Sequence, residues 1–365
     1  MGKVSLYSLL LILGIVTSQV FDLAPFYFPI KFITLALLGY IMIEVGLEFS
    51  IDKKNIKGYG KDYLIATSAA ALPWILCSLY FFTYFEMNFS SAALIGLFAA
   101  PTSAGVLFAM LAAAGLATTW VFKKARILAI LDDLDTILLI VPLQMIHLGF
   151  EWRSLILIGI LAVLLIIAWR FLHHFALPTS RLFLIGYAFL LTTAIEIFQA
   201  TTLISLEILL PAFVLGCLIK NPHLEGKPTY LIPEKGLDDL LKFGYMFLVG
   251  CSLPKISFTT HSFSFIAWNV LIITSLANLG KLVPLFCYKR EATLRTRTAL
   301  SIAMWPRGEV GAGILLISMN YAMPSIVLQL AELSLALNLI LTGFFIYLVI
   351  RLLKKDALSK SEKTG

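Results

Sequence analysis

Three aspartates interrupt an apolar stretch, LAILDDLDTILLIVP, that runs from Leu128 to Pro142. On a helix, Asp132 and Asp135 would share one face, while Asp133 would be rotated by about 100° from Asp132. Carboxylates crowded away from water cannot all ionise cheaply, so at least one should take up a proton near neutral pH. These residues predict a proton carrier; the alternative is a polar cluster that only holds helices together.

The chain around these aspartates is too apolar for an ordinary soluble domain. Hydrophobic residues make up 60% and charged residues 13% of its 365 residues, whereas soluble domains carry about 25% charge. Apolar runs of roughly 17–25 residues, long enough to cross a bilayer, recur along it. We predict an all-α polytopic membrane protein with about twelve transmembrane helices, near 4–20, 31–49, 62–84, 91–113, 125–147, 153–172, 181–200, 205–221, 240–257, 264–287, 298–320 and 329–352.

Lysine and arginine alternate between the loops that join these spans. Basic residues collect in every second loop and at both ends of the chain, which predicts that both termini are cytoplasmic, in a bacterial inner (plasma) membrane. The net charge of +7 is attributed to this bias and to anionic membrane lipids, and not to nucleic-acid binding.

The domain organisation is predicted as one integral membrane domain over residues 1–365. A first half, 1–221, carries the acidic site, and a second half covers 241–353. The proline-containing segment 222–240 between them reads as a cytoplasmic linker, and 354–365 as a cytoplasmic tail. The four cysteines lie singly, without the spacing of a metal or redox site, and no cofactor is expected.

Two other spans carry helix breakers beside polar residues at mid-membrane depth. The fourth contains AAPTSAG, with Thr102 and Ser103 after Pro101, and the eleventh contains WPRGEVGAG, with Arg307 and Glu309. Broken backbone at this depth is tolerated where it lines a cavity, and its free carbonyl and N–H groups become ion ligands. Because these spans run in opposite directions, we expect inverted repeats; two ordinary proline kinks are the alternative.

The tenth span carries a lysine at mid-membrane depth in SLANLGKLVP, which could extend its side chain to the interface or pair with an acid. Asp132 lies about nine residues, or roughly 14 Å, from the cytoplasmic end of the fifth span, and Lys281 lies at comparable depth. Pairing lowers the cost of both charges. Lys281 is therefore expected to form an ion pair with Asp132 or Asp133, with Asn278 lining the same cavity.

The order TSAG, LDDL, a lysine in the tenth span and PRGEVG resembles the cation:proton antiporter family, in the branch of NapA-type sodium/proton antiporters and Kef-type potassium efflux proteins. EVGLEF at Glu44 to Phe49 and FLVGCSLP at Phe247 to Pro254 are similar to further segments of that family. The resemblance implies an NhaA/NapA-like fold with a dimerising scaffold and a core in which the fourth and eleventh helices cross as discontinuous helices. No nucleotide-binding C-terminal domain of the Kef type is expected.

The resemblance also implies roles for individual residues. Asp133 matches the ion- and proton-binding aspartate, and Asp132 matches its partner, which pairs with the residue at Lys281 in electrogenic members. Thr102 and Ser103 match the unwound fourth helix.

Other positions are implied as supporting residues or as departures. Arg307 and Glu309 match the polar pair of the eleventh helix. Asp135 stands where the family usually has an apolar residue, and Pro101 where it has alanine. The additional carboxylate could change stoichiometry or ion preference.

The expected function is exchange of a monovalent cation, Na⁺ first and K⁺ or Li⁺ as alternatives, for protons by a homodimeric transporter that is not an enzyme. A gated cation channel would use the same acidic cavity without strict coupling. A sodium-coupled symporter of organic solutes is the other alternative, although it would favour neutral polar groups over three aspartates.

Overall fold

The computed structural model describes residues 2–48, 56–103, 107, 111, 116, 118–148, 152–202, 206, 208–220, 236–252 and 262–364. Most of the predicted linker, together with Phe49, Gly105 and Pro254 of the family-like segments, lies outside these residues. The described chain is almost entirely helical, and its one isolated β-bridge joins Phe175 to Ile219. The all-α prediction is therefore confirmed.

The α-helices are named here in chain order. They are α1 (Gly2–Val20), α2 (Tyr27–Glu48), α3 (Ile56–Tyr84), α4 (Phe89–Gly96), α5 (Trp120–Leu148), α6 (Trp152–Arg170), α7 (Arg181–Thr202), α8 (Leu209–Leu218), α9 (Leu237–Cys251), α10 (Phe263–Gly280), α11 (Val283–Cys287), α12 (Leu294–Ala303), α13 (Glu309–Ser318) and α14 (Ser325–Thr364).

Several helices have the length and composition of membrane spans. Among the described residues, five are long and apolar enough to cross a bilayer: Tyr27–Leu47, Gly60–Tyr84, Arg181–Thr202, Phe263–Cys287 and Ser325–Lys355. Large apolar side chains remain exposed on them, including Leu64, Leu182 and Phe263, as expected of surfaces that face lipid. The protein is an integral membrane protein.

The helical backbone is interrupted twice at the residues predicted from sequence. After α4 the chain makes a short 3₁₀ turn, Leu97–Ala99, and continues without regular structure through residues 101–103. Residues 304–308 separate α12 from α13 in the same way. Pro101 and Pro306 lack the N–H that would continue each helix.

The helices form two compact units. Unit 1 contains Met1–Leu9, Lys53–Ile140 and Pro254–Gly365, and unit 2 contains Leu10–Asp52 and Val141–Leu253. In unit 1, α3 packs against α4 and α10, and α14 packs against α12, α10 and α13. Both interruptions and the first part of α5 belong to unit 1.

Unit 2 is held by close helix crossings at glycines. A Cβ built on Gly46 would lie 2.2 Å from the carbonyl oxygen of Phe213, and one on Gly14 would lie 2.1 Å from that of Phe247. The facing residues are Gly216 and Gly250, so the backbones approach as small residues allow in membrane helices.

An ion-pair cluster also lies in unit 2, within the family-like EVGLEF segment. Glu44 lies 2.5 Å from Arg181 Nη1 and 2.9 Å from Lys242 Nζ, and the Tyr40 hydroxyl donates to it at 3.0 Å. The cluster joins α2 to α7 and α9.

Candidate functional site

The three predicted aspartates are all buried on α5. Asp132 is 0% exposed, Asp133 1% and Asp135 6%. α5 continues as a helix through them, because leucine, isoleucine and alanine surround them and the next proline is Pro142. An apolar helix therefore carries the three carboxyl groups away from solvent.

Asp132 pairs with the buried lysine. Lys281 Nζ lies 2.6 Å from Asp132 Oδ2, and both side chains are fully buried. Lys281 follows the last residue of α10, where the backbone turns before α11, and its ammonium also donates to the Ala100 carbonyl at the first interruption. Of the two partners considered for Lys281, the ion pair is with Asp132.

Thr102 connects the same carboxylate to both interruptions. Its hydroxyl donates to Asp132 Oδ2 at 2.7 Å and lies 3.2 Å from the Met304 carbonyl, while its N–H donates to Oδ1 at 3.3 Å. The Ser103 N–H donates to the Pro306 carbonyl at 2.8 Å. The two broken segments therefore meet beside Asp132.

Ser103 is buried against the second interruption. A Cβ built on Gly308 would lie 2.7 Å from Ser103 Oγ, so only glycine fits there without a shift. Glu309 begins α13, and its side chain is outside what the structure describes.

Arg307 is a buried cation that donates hydrogen bonds to uncharged groups. Its guanidinium donates to the carbonyls of Ala99 at 2.9 Å, Ala277 at 2.5 Å and Trp305 at 3.0 Å. It also donates to Asn278 Oδ1 at 2.7 Å. Carbonyls left free by the interruptions and by the end of α10 thus stabilise the charge.

Asn338 is a site residue that the sequence reasoning missed. Its Oδ1 accepts from the Arg307 N–H at 2.9 Å, and its Nδ2 donates to Asn278 Oδ1 at 2.9 Å. It brings α14 into the network, and Asn278 lies in the network as expected. The feature of the sequence that could have identified Asn338 is an amide side chain within an apolar helix.

Asp135 has a different neighbour from Asp132. Thr67 Oγ1 on α3 donates to Asp135 Oδ2 at 2.6 Å, and the Tyr63 hydroxyl interacts with the same carboxyl group. The additional carboxylate is therefore held by hydroxyls of α3, one turn away from the Lys281 pair.

The network can stabilise charge and bind protons, because it joins buried carboxylates, a lysine and backbone carbonyls at the two interruptions. Ionised carboxylates and carbonyl oxygens are also the ligands that hard monovalent cations prefer. Within the described residues, no group of three or more histidines, cysteines or acids is arranged to hold a metal ion.

A further buried acid, Glu332 on α14, was not identified from the sequence. It is 3% exposed. The feature of the sequence that could have identified it is an acidic residue seven positions after the start of a long apolar helix.

Comparison with known proteins identifies the family. The structure is similar to that of the sodium proton antiporter MjNhaP1 from Methanocaldococcus jannaschii at pH 8, with a TM-score of 0.65 and 14% sequence identity, over 95% of this chain and 92% of that one. At this identity the likeness shows the fold. No curated protein matches the sequence. The family model "Sodium/hydrogen exchanger, transmembrane" matches residues 2–355, which confirms the predicted family: the chain belongs to the sodium/hydrogen exchangers, among the monovalent cation:proton antiporters.

Proposed function

We propose that the protein exchanges Na⁺ for protons by alternating access, with Asp133 and Asp132 as the ion- and proton-binding carboxylates. The observation that carries the proposal is the fully buried Lys281–Asp132 pair at 2.6 Å, next to two interrupted helices and one residue from buried Asp133. Charges at this depth are expensive, and they are retained where a transport pathway uses them. Family membership supports cation:proton exchange.

Competition for the carboxylates accounts for the coupling. A sodium ion needs ionised Asp133 and Asp132, whereas protonation neutralises them, so the two substrates exclude each other. A site with neither a cation nor a proton bound carries uncompensated buried charge, which opposes the change between inward- and outward-facing states. A site that holds a cation or protons does not have this penalty. Only loaded sites therefore change access, so a cation moves one way and protons move the other.

Lys281 decides whether a cycle moves net charge. If the ion pair opens when a cation binds and Lys281 exchanges its proton, the cycle moves net charge and is electrogenic. If Lys281 stays paired with Asp132 throughout the cycle, exchange is electroneutral. Dependence of the initial rate on membrane potential distinguishes the two.

Thr102, Ser103 and Arg307 would shape the site around the carboxylates. The Thr102 hydroxyl supports Asp132 at 2.7 Å, and Arg307 fixes the carbonyls of both interruptions. Asp135 would act as an auxiliary acid, and Glu309 would complete the second interruption.

The proposed architecture has twelve spans in inverted repeats, with the fourth and eleventh crossing at their breaks. The glycine contacts support it: Gly216 follows Gly14 by 202 positions and Gly250 follows Gly46 by 204. The pair Gly14–Gly250 therefore has the counterpart Gly216–Gly46. Thr102 and Pro306, which mark the two interruptions, are also 204 positions apart.

The proposed setting is a bacterial inner membrane with both termini in the cytoplasm and a homodimeric assembly. Segment 222–240 would link the two halves on the cytoplasmic side. The distribution of basic residues supports this orientation. The only substrates are the cation and the proton, with no chemical conversion and no nucleic-acid partner.

The test is proton flux in proteoliposomes under an imposed pH gradient, with Na⁺, Li⁺ and K⁺ added separately. Wild type should dissipate the gradient with one cation, Asp133→Asn should not, and Glu196→Gln should match wild type. Folded wild type that responds to no cation would contradict exchange and favour organic-solute symport. Flux far above carrier rates, without pH dependence, would favour a channel.

A further inference from the structure

Glu332 is a buried carboxyl group that the proposed exchange cycle does not use. It lies on α14, within the stretch Ser325–Lys355 that is apolar and long enough to span a membrane. It is 3% exposed, and its Oε2 has no hydrogen-bond partner within the described residues. Among the described residues, no ion pair involves Glu332.

The unpartnered Oε2 in an apolar setting favours the neutral form of the side chain. Burying an ionised carboxylate without a cation or donor costs far more than burying the neutral acid, so the group holds a proton instead. A leucine at this position would avoid even the smaller cost. Glu332 is thus a buried titratable group in an apolar part of unit 1.

The helical phase of α14 directs Glu332 toward the second interruption. Glu332, Leu335 and Leu339 are spaced i, i+3 and i+7 and share a face. Leu335 Cδ1 would lie 3.6 Å from a Cβ on Gly311, and Leu339 Cδ2 would lie 4.0 Å from one on Gly308. The face that carries Glu332 therefore packs against α13 and the interruption before it.

Glu332 and the basic end of unit 1 lie on opposite sides of this interruption. Asn338 contacts the Arg307 N–H at 2.9 Å and marks the level of the interruption, and Glu332 precedes it by about 9 Å along α14. In the other direction, the carbonyl of Lys355 accepts from Arg295 Nη1 at 3.3 Å. With the proposed topology, Glu332 lies on the non-cytoplasmic side.

The helices packed against α14 bring few charges to Glu332. Arg307, at the interruption, bonds through its N–H to Asn338 of α14, and its guanidinium donates to carbonyls and to Asn278. Arg295 and Arg297 lie near the basic end of α12, and Lys281 follows α10 and pairs with Asp132. Glu309 begins α13, and its side chain is outside the described part. On α14 itself, the next charged residue is Arg351, about 28 Å away along the helix.

We propose that Glu332 is a second proton-binding site, which passes protons between the non-cytoplasmic side of unit 1 and the acidic site at the interruptions. This site gives α14 a role in transport. The proton route on the non-cytoplasmic side then does not depend on Lys281. This inference rests on the proposed exchange function.

The test compares wild type with Glu332→Gln, which keeps the shape and removes the titratable proton. Ser334→Ala is the matched control, because Ser334 is a buried polar residue of the same helix that bonds to Thr274 at 2.8 Å. We expect Glu332→Gln to slow cation-driven proton flux about a hundredfold, the scale of a lost proton-transfer group. Ser334→Ala should stay within about twofold, and bound sodium should be unchanged in both.

Infrared spectroscopy supplies a readout independent of transport. Wild type should show a protonated carboxylic acid band that Glu332→Gln lacks. An unchanged spectrum, or wild-type flux and pH profile in Glu332→Gln, would overturn the proposal. If the glutamine variant does not fold, Glu332→Leu takes its place with the same expectations. Wild type without any cation-dependent flux would contradict the proposed exchange instead, while the band would still report the proton on Glu332.

Discussion

Lys281 Nζ and Asp132 Oδ2 lie 2.6 Å apart, and neither side chain is exposed. The pair joins the end of α10 to the middle of α5, two segments 149 residues apart. Each charge has further donors or acceptors at the first interruption, so neither depends on the other alone. A transported ion that binds Asp132 must compete with this lysine.

Breaking the pair from either side should destabilise the protein more than removing it entirely. Lys281→Met or Asp132→Leu alone leaves one buried charge unpaired, and we expect each to lower the free energy of unfolding by about 3–5 kcal/mol. The double variant should lose less than either single variant. Denaturant unfolding in detergent measures the cycle, and additive losses would show that the two charges are not coupled.

Replacing Thr102 should weaken cation binding through Asp132. Thr102→Val removes a hydroxyl that donates to Oδ2 at 2.7 Å, so the ionised carboxylate loses stabilisation and a proton competes better with the cation. We expect the apparent KM for the cation to rise about tenfold at fixed pH, from the value of one such hydrogen bond. Thr102→Ser keeps the donor and should stay near wild type; equal effects of both variants would contradict this role.

Much of the fold and the chemical character of the site can be predicted from sequence. The segment predicted at 181–200 is helical at Arg181–Thr202, because length and hydrophobicity alone define such a helix. Pro101 and Pro306 locate the interruptions because proline removes a backbone donor. Three carboxylates in an apolar run predict a functional site, because placing ionisable groups in the membrane costs free energy and such groups are retained where they carry a function.

Tertiary partners could not be predicted in the same way. Membrane helices are apolar on all faces, so their periodicity does not reveal which side is buried. The choice of Asp132 over Asp133 for Lys281, the bond between Thr67 and Asp135, and the burial of Glu332 all depend on how the helices are rotated. Arg307 bonds to backbone carbonyls, which carry no residue-specific signal.

Arg307 should not tolerate replacement by lysine. Lysine has a single nitrogen and cannot reach the carbonyls of Ala99 and Ala277 and the Asn278 amide together, which Arg307 contacts at 2.9, 2.5 and 2.7 Å. Each buried acceptor left unpaired costs about 1–3 kcal/mol, so the melting temperature should fall clearly. Arg295→Lys is the control, since Arg295 makes one exposed bond at 3.3 Å. Equal melting temperatures for the two variants would contradict this account.

Tyr288 should make the protein sensitive to alkaline pH. It follows the span Phe263–Cys287, is fully buried and donates to Asp62 Oδ1 at 2.6 Å. Burial, then the bond to Asp62, raises the pKa of Tyr288 well above its ordinary value. The folded state thus keeps the proton after the unfolded state has lost it. Stability from this residue is complete below about pH 10 and declines as pH rises above it.

Tyr288→Phe should therefore lower stability at neutral pH and flatten the alkaline decline. Unfolding followed from pH 7 to about 11 measures both effects, since tyrosine in unfolded chains ionises near 10. A decline of equal slope in wild type and variant would show that other groups cause it.

The glycine crossings of unit 2 should be intolerant of a single methyl group. A Cβ on Gly46 would meet the Phe213 carbonyl oxygen at 2.2 Å, and one on Gly216 would meet that of Ile43 at 2.1 Å. Both obstacles are backbone atoms, so α2 and α8 would have to separate. We expect Gly46→Ala and Gly216→Ala each to destabilise the protein by about 1–3 kcal/mol or more.

Two other helical glycines provide controls for the same substitution. A Cβ on Gly159 or Gly186 would meet nothing within 4 Å, so alanine there should be neutral or slightly stabilising, because it restricts the unfolded chain and favours helix. Melting temperatures of the four alanine variants in detergent make the comparison. Equal melting temperatures at all four positions would mean that the close approach of α2 and α8 does not limit stability. A loss confined to Gly46 and Gly216 would locate that limit at the crossing, since the helix propensity gained is the same in every variant.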